Sequence, residues 1–347
     1  MMHDVAIRAG LALGVVAGCC AGAAMADALV VLNKSEANVS IIDPASRETV
    51  ATVAVGVGPH EAATAADGRT VVVCNYGDQT PGSTLTVIDA KAGKALRTFD
   101  LDGHQRPHGI QFLPDGRIVV TAESQRKLLI VDIEKGAVDH AIDTDAQVSH
   151  MVAVTPDGKR AFVPNIGSGS CSVIDLEAKK LLKVVPTGAG AEGIAVHPTR
   201  PEAWVTNRAA NTVSVIDTES LEVTATIECG DFPIRAAITP DGKHVLVSCA
   251  QSGEVVVIDP ESRAEVKRIS MGEAVVEGEE RRGRLFENAF GNSPAPIGIL
   301  IEPGGKKAYI ANTLADIVTV IDLERLEVIG RIQAGRQPDG MAWAANG

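Results

Sequence analysis

Short runs of alternating apolar residues, each closed by an aspartate, recur along the whole chain. Val-x-Val-Ile-Asp or a near variant ends at Asp43, Asp89, Asp132, Asp175, Asp217, Asp259 and Asp322, at intervals of 46, 43, 43, 42, 42 and 63 residues. Alternation with period two is the pattern of a strand, and a repeat of about 40–45 residues built only from such strands is that of a β-propeller blade. One blade cannot bury both faces of its sheet, so neighbouring blades must cover them. Seven copies predict an all-β chain folded as a seven-bladed β-propeller over residues 27–347.

Within a repeat the pattern resolves four strands. An inner strand near Pro-x-Gly-Ile leads to a turn such as Thr155-Pro156-Asp157-Gly158, then a second strand ending in asparagine. The Val-x-Val-Ile-Asp strand and a fourth like Val223–Glu228 complete the unit. Asn75, Asn165, Asn207 and Asn312 each stand 15 residues beyond the start of an inner strand, but the last inner strand, at 339–343, has no followers. Ala28–Asn33 has the spacing of a second strand that lacks a first. The N-terminal strands are therefore expected to complete the last blade and close the ring without a free edge.

Ahead of those strands, residues 9–23 form an apolar run too short to span a bilayer, and Ala24-Met25-Ala26 fits an A-x-A cleavage site before Asp27. Residues 1–26 read as a secretory signal peptide, which places the mature chain in the periplasm or outside the cell. A second reading stands beside it: Val16-Ala17-Gly18-Cys19 resembles a bacterial lipobox, which would leave Cys19 as a lipid anchor. No transmembrane segment is expected in either case.

Ala203-Trp204-Val205-Thr206-Asn207, followed by Val213-Ser214-Val215-Ile216-Asp217, resembles the repeat of the YVTN-type propellers, the family of YncE-like exported bacterial proteins, over residues 28–347. The resemblance implies the fold. Its members include binding modules, surface-layer components and partners of periplasmic redox enzymes, so it implies no single activity.

The net charge of −12, from 44 acidic and 32 basic residues, sets the surface against nucleic acid. An aromatic content of 3% argues against a base- or sugar-stacking platform. There is no C-x-x-C-H, no phosphate loop, no dinucleotide fingerprint and no nucleophile elbow, so neither haem nor nucleotide is expected. Cys229 and Cys249 end strands at one rim in adjacent repeats and could pair as a disulfide in an oxidising compartment, whereas Cys171 reads as core.

What recurs in every blade serves the blade, and function is sought where one copy departs from the rest. The seven aspartates and the strand-end asparagines satisfy turns; Glu123 and Cys249 replace the asparagine in two repeats. The residue at the start of each inner strand, aligned by the turn seven residues later, reads His60, His108, His150, Glu192, Ile234, Ile297 and Asp339 around the ring. Three histidines and a glutamate on consecutive blades would gather at one channel mouth. Two readings follow: a site for one divalent transition metal (zinc, copper or iron) held by His60, His108, His150 and Glu192, or a polar, water-filled mouth. His104 could join that rim; His140, His197 and His244 fall elsewhere.

Two further departures lie nearby. The long final interval places an insertion at 271–293, charged through Glu277, Glu279, Glu280, Arg281, Arg282 and Arg284 and with Leu285, Phe286 and Phe290 as its apolar part. It reads as a lid or docking element, or as a solvated loop. Arg235 stands where Gly109, Gly193, Gly298 and Gly340 are glycine, either to take a carboxylate ligand or to pair internally.

The expected function is an exported binding module meeting a small ligand or a periplasmic protein at the channel-mouth face. The alternative is a metal-dependent propeller enzyme of lyase, lactonase or oxidase type, with Glu192 or Arg235 as the catalytic candidates.

Overall fold

Each valine- and isoleucine-rich strand buries both of its faces, and this is what forces the blades into a ring. In a computed structural model, which describes residues 27–273, 283, 284, 286 and 288–345, the strands form seven four-stranded antiparallel sheets. The signal-peptide segment 1–26, its cleavage site and the lipobox lie outside the described residues, as do most of the charged positions of the 271–293 insertion. Numbering blades from the first complete one, blade 1 spans residues 59–100, blade 2 107–143, blade 3 153–186, blade 4 191–228, blade 5 233–270 and blade 6 296–333. Blade 7 joins Pro338–Ala344 to Ala28–Asn33, Asn38–Asp43 and Glu48–Ala54, in that order across the sheet.

The closure follows the spacing. Ala28–Asn33 lies between the C-terminal inner strand and Asn38–Asp43, pairing Leu29 with Trp343 and Ile42, and Val30 with Ala342 and Ile41. Val30 and Leu32 pack toward blade 1 with Val71, Val73 and Ile88; Leu29 and Val31, pointing the other way, pack toward blade 6 with Tyr309, Val318 and Val320. The same division recurs at every interface, so the core is a set of apolar layers between blades. Trp204, fully buried, fills the layer between blades 4 and 5 among Val213, Val245 and Val247.

The recurring polar residues serve the frame. Oδ1 of Asp43, Asp132, Asp175, Asp217, Asp259 and Asp322 each accepts two backbone N–H groups of the following turn. Asn33 and Asn75 each pin three segments together. Asn75 donates through Nδ2 to Thr84 and Thr86 on the third strand, while its Oδ1 accepts from the Gly56 N–H on the incoming connector. Asn207 likewise donates to Thr212 and Ser214, at 3.0 and 2.9 Å. Replacing Asn207 by alanine strands two hydroxyls in a buried site and should cost about 1–3 kcal/mol, measurable as a lower urea midpoint with an unchanged slope.

Candidate functional site

In each blade the ladder between first and second strands is interrupted at the same place. Pairing jumps from Pro59 to Ala62, Pro107 to Ile110, Ala191 to Ile194, Pro233 to Arg235 and Pro296 to Ile299, and blade 3 passes from Ser149 to Ala153. Residues freed from a ladder by a bulge can be re-aimed. Here they turn into the channel, and His60, His108, His150, Glu192, Ile234, Ile297 and Asp339 are all among them. Glycine follows in four blades because the inner strands run close together there. A side chain at Gly298 would run into the Asp339 carbonyl, and one at Gly340 into that of His60.

The three histidines pack against one another, with ring centroids 4.5 Å apart for His60 and His108 and 3.6 Å for His108 and His150. Tyr76 stacks on the outer face of His60 at 4.5 Å. The three imidazoles have different surroundings. His150 lies between two carboxylates, with Nδ1 2.8 Å from Glu123 and Nε2 3.2 Å from Glu192. Burial opposes its protonation, but the bonds to Glu123 and Glu192 outweigh burial and raise its pKa above the ordinary value. His60 and His108 are pushed well below that value by burial, reinforced by nearby positive charge, and are neutral.

Glu192 is the most heavily held carboxylate of the site. It receives His150, the Arg208 guanidinium at 2.6 Å and Arg235 at 3.5 Å. Burial works to raise its pKa, yet the bond and charge of His150 with the charges of Arg208 and Arg235 prevail and hold it at about 2. A carboxylate so stabilised is a weak base at neutral pH. Arg235 pairs internally, reaching Glu61 at 2.9 Å as well as Glu192. Glu61 belongs to blade 1 and Arg235 to blade 5, which are not neighbours, so this ion pair reaches across the channel.

On the other side, Lys34 Nζ stands 3.0 Å from His60 Nε2 and 3.7 Å from Asp339. Burial lowers its pKa, partly offset by the Asp339 charge. The polar chain thus runs from blade 7 through blades 1 to 5, while Ile234 and Ile297 leave an apolar wall. Above it opens a cavity of about 380 Å³, also lined by Tyr76, Glu123, Arg208 and Phe286. Phe286, from the insertion, packs with Phe290 and Phe232 at 4.5 and 5.6 Å. His104 is not part of the lining. His197 is a structural residue: its Nε2 meets the Gly242 carbonyl, and its Nδ1 accepts from the amides of Thr199 and Arg200.

Lys34, Tyr76 and Arg208 were not singled out in the sequence. Each follows a strand-end asparagine directly, and aligning that position across the repeats would have found them. Glu123 did stand out, as a replacement of that asparagine, and its carboxylate holds both His150 and the Tyr76 hydroxyl. Several buried atoms are left without a hydrogen-bond partner. At the channel mouth they are both ring nitrogens of His108, Nδ1 of His60 and Oδ1 of Asp339, on three consecutive blades; others, among them Oδ1 of Asn207 and of Asn312, lie in the frame of other blades. Among the described residues no three histidine, cysteine or carboxylate side chains already stand in metal-binding geometry. Nor is any helix there long and apolar enough to cross a membrane.

The family model for the YNCE-like β-propeller matches residues 7–133 and 123–278. Among solved structures, the chain is similar to hydrazine synthase of Kuenenia stuttgartiensis, at 20% identity and a TM-score of 0.69 over 84% of this chain and 90% of that one. It is also similar to a protein of unknown function from Desulfotomaculum acetoxidans DSM 771, at 15% identity and a TM-score of 0.73 over 92% of this chain and 99% of that one. At such identities the likeness concerns the fold. No curated protein matches the sequence.

Proposed function

The chain belongs to the YncE-like β-propeller family, a fold that hosts unrelated activities, and from the site itself we propose that it is an exported binding module whose channel mouth takes one divalent transition-metal ion. The observation that supports this most directly is the set of unpartnered buried atoms on His60, His108 and Asp339. Buried polar atoms are nearly always paired, and such an atom costs about 1–3 kcal/mol when it is not. Neutral imidazoles with free lone pairs beside a carboxylate suit zinc, copper or iron better than calcium or magnesium.

The reading alters the ligand set expected from the repeat register. His150 and Glu192 are committed to one another and to Glu123, Arg208 and Arg235. Burial, reinforced by the positive charges of Lys34, His150 and Arg235, keeps His60 and His108 unprotonated, and His60, His108 and Asp339 are the ligands. Metal capture then requires the His60 and Asp339 side chains to turn toward His108. The enzymatic alternative needs a base; Glu192, held at about 2, serves that purpose poorly at neutral pH, and binding is the better reading.

Calorimetric titration with zinc and copper salts tests this. Wild type should bind one equivalent, His140→Ala should bind equally, and His108→Ala or Asp339→Asn should lose at least about tenfold. Because protons compete with metal for imidazole nitrogen, and burial depresses the pKa of His60 and His108, affinity should hold from pH 7.5 to 6.5 and fall only below. Equal binding by wild type and His108→Ala, or none by either, would overturn the proposal.

A further inference from the structure

Where blades 1 and 7 tie their incoming connector to the second strand through asparagine, blade 5 offers two thiols. Asn75 and Asn33 accept from the amides of Gly56 and Gly335 on the connectors that reach them. In blade 5 the asparagine is replaced by Cys249, fully buried at the end of Val245–Cys249. The connector residue directly before Gly230 is Cys229, which occupies the place of Val55 before Gly56 and Ala334 before Gly335. Its backbone N–H bonds to the Asn211 carbonyl just as those of Val55 and Ala334 bond to the Ala37 and Asp316 carbonyls. The two sulfurs face each other 3.7 Å apart. Cys74 and Cys171, in contrast, are buried among core side chains of other blades.

We propose that Cys229 and Cys249 are a disulfide site, closed by a small-molecule or protein disulfide as oxidant, that staples the blade 4 to blade 5 connector to the second strand of blade 5. Cys229 thiolate attacks one sulfur of the oxidant, releasing the other as a thiol. Cys249 then loses its proton and attacks Cys229 Sγ, expelling the second oxidant sulfur as a thiol. One oxidant disulfide is reduced as one protein disulfide forms. Cys229 is the attacking partner because it is only partly buried and because the Cys249 hydrogen bond holds its thiol below the ordinary value. The cross-link replaces the asparagine pin that this blade lacks. It also fixes Phe232, three residues on, whose ring carries the Arg208 guanidinium at 5.1 Å and so steadies the partner of Glu192.

The test uses the full protein incubated with oxidised or reduced glutathione, blocked with iodoacetamide and digested with trypsin. Cys229 and Cys249 fall on separate fragments, 209–235 and 244–263. After oxidation these should be recovered joined, two hydrogens lighter than their sum, with a melting temperature about 5 °C above the reduced form. Cys249→Ser should give no joined fragments and no redox-dependent shift. Oxidised wild type that yields the two fragments apart, whether alkylated or still carrying glutathione, would overturn the proposal, and so would joined fragments with no change in melting.

Discussion

Deletion of residues 28–38 should leave a protein with no cooperative thermal transition. The strand Ala28–Asn33 is buried along its whole length, and Leu29, Val30, Val31 and Leu32 are entirely shielded from solvent. At about 1.5–3 kcal/mol for each fully buried aliphatic side chain, the loss is on the order of 6–12 kcal/mol, comparable to the whole stability of a typical domain. The deletion also strips the partner from the inner strand Pro338–Ala344 and opens a sheet edge beside the channel. A milder variant, Leu32→Ala, should cost about 2–5 kcal/mol by leaving a cavity between blades 7 and 1. Differential scanning calorimetry checks both; an unchanged melting profile for the deletion would mean that the ring closes without these strands.

The second large effect is expected at the ion pair across the channel. Arg235→Met should destabilise the protein by about 3–5 kcal/mol, the usual penalty for leaving one member of a buried pair uncompensated. Glu61 would be the stranded charge: burial already raises its pKa, and Arg235 is the main influence opposing that rise. The double variant Glu61→Leu, Arg235→Met should recover most of the loss, since a pair replaced as a whole by apolar groups costs little. If both variants were equally unstable, the arginine would be acting mainly through Glu192, and Glu61 would be a bystander.

The pH dependence of stability carries the signature of the same network. The folded pKa of Glu192 lies below its ordinary 4.5, so its contribution is present above 4.5 and is lost as pH falls toward about 2. That of His150 is raised above 6.5, so its contribution is present below 6.5 and is lost as pH rises through the folded value. His60 and His108 act in the opposite sense. They are held neutral in the fold and reduce stability once pH drops below 6.5, where the unfolded chain takes up their protons.

Sequence alone determined the architecture. Strand alternation, the seven aspartates and the displaced second strand fix the number of blades and the blade that closes the ring, because a sheet buried on both faces must repeat its apolar pattern in every copy. The register also brought His60, His108, His150, Glu192 and Asp339 to one mouth, since equivalent positions in a closed ring share a level. Partner choice was decided only by the tertiary structure. Nothing in the spacing separates His150, between Glu123 and Glu192, from His108, with both nitrogens unpartnered. Nor does it show that Arg235 meets Glu61, which is 174 residues away in sequence and lies across the axis. Those contacts depend on the bulges that turn side chains inward and on the width of the channel. Both are set by how the blades pack around the ring, and no single repeat encodes that packing.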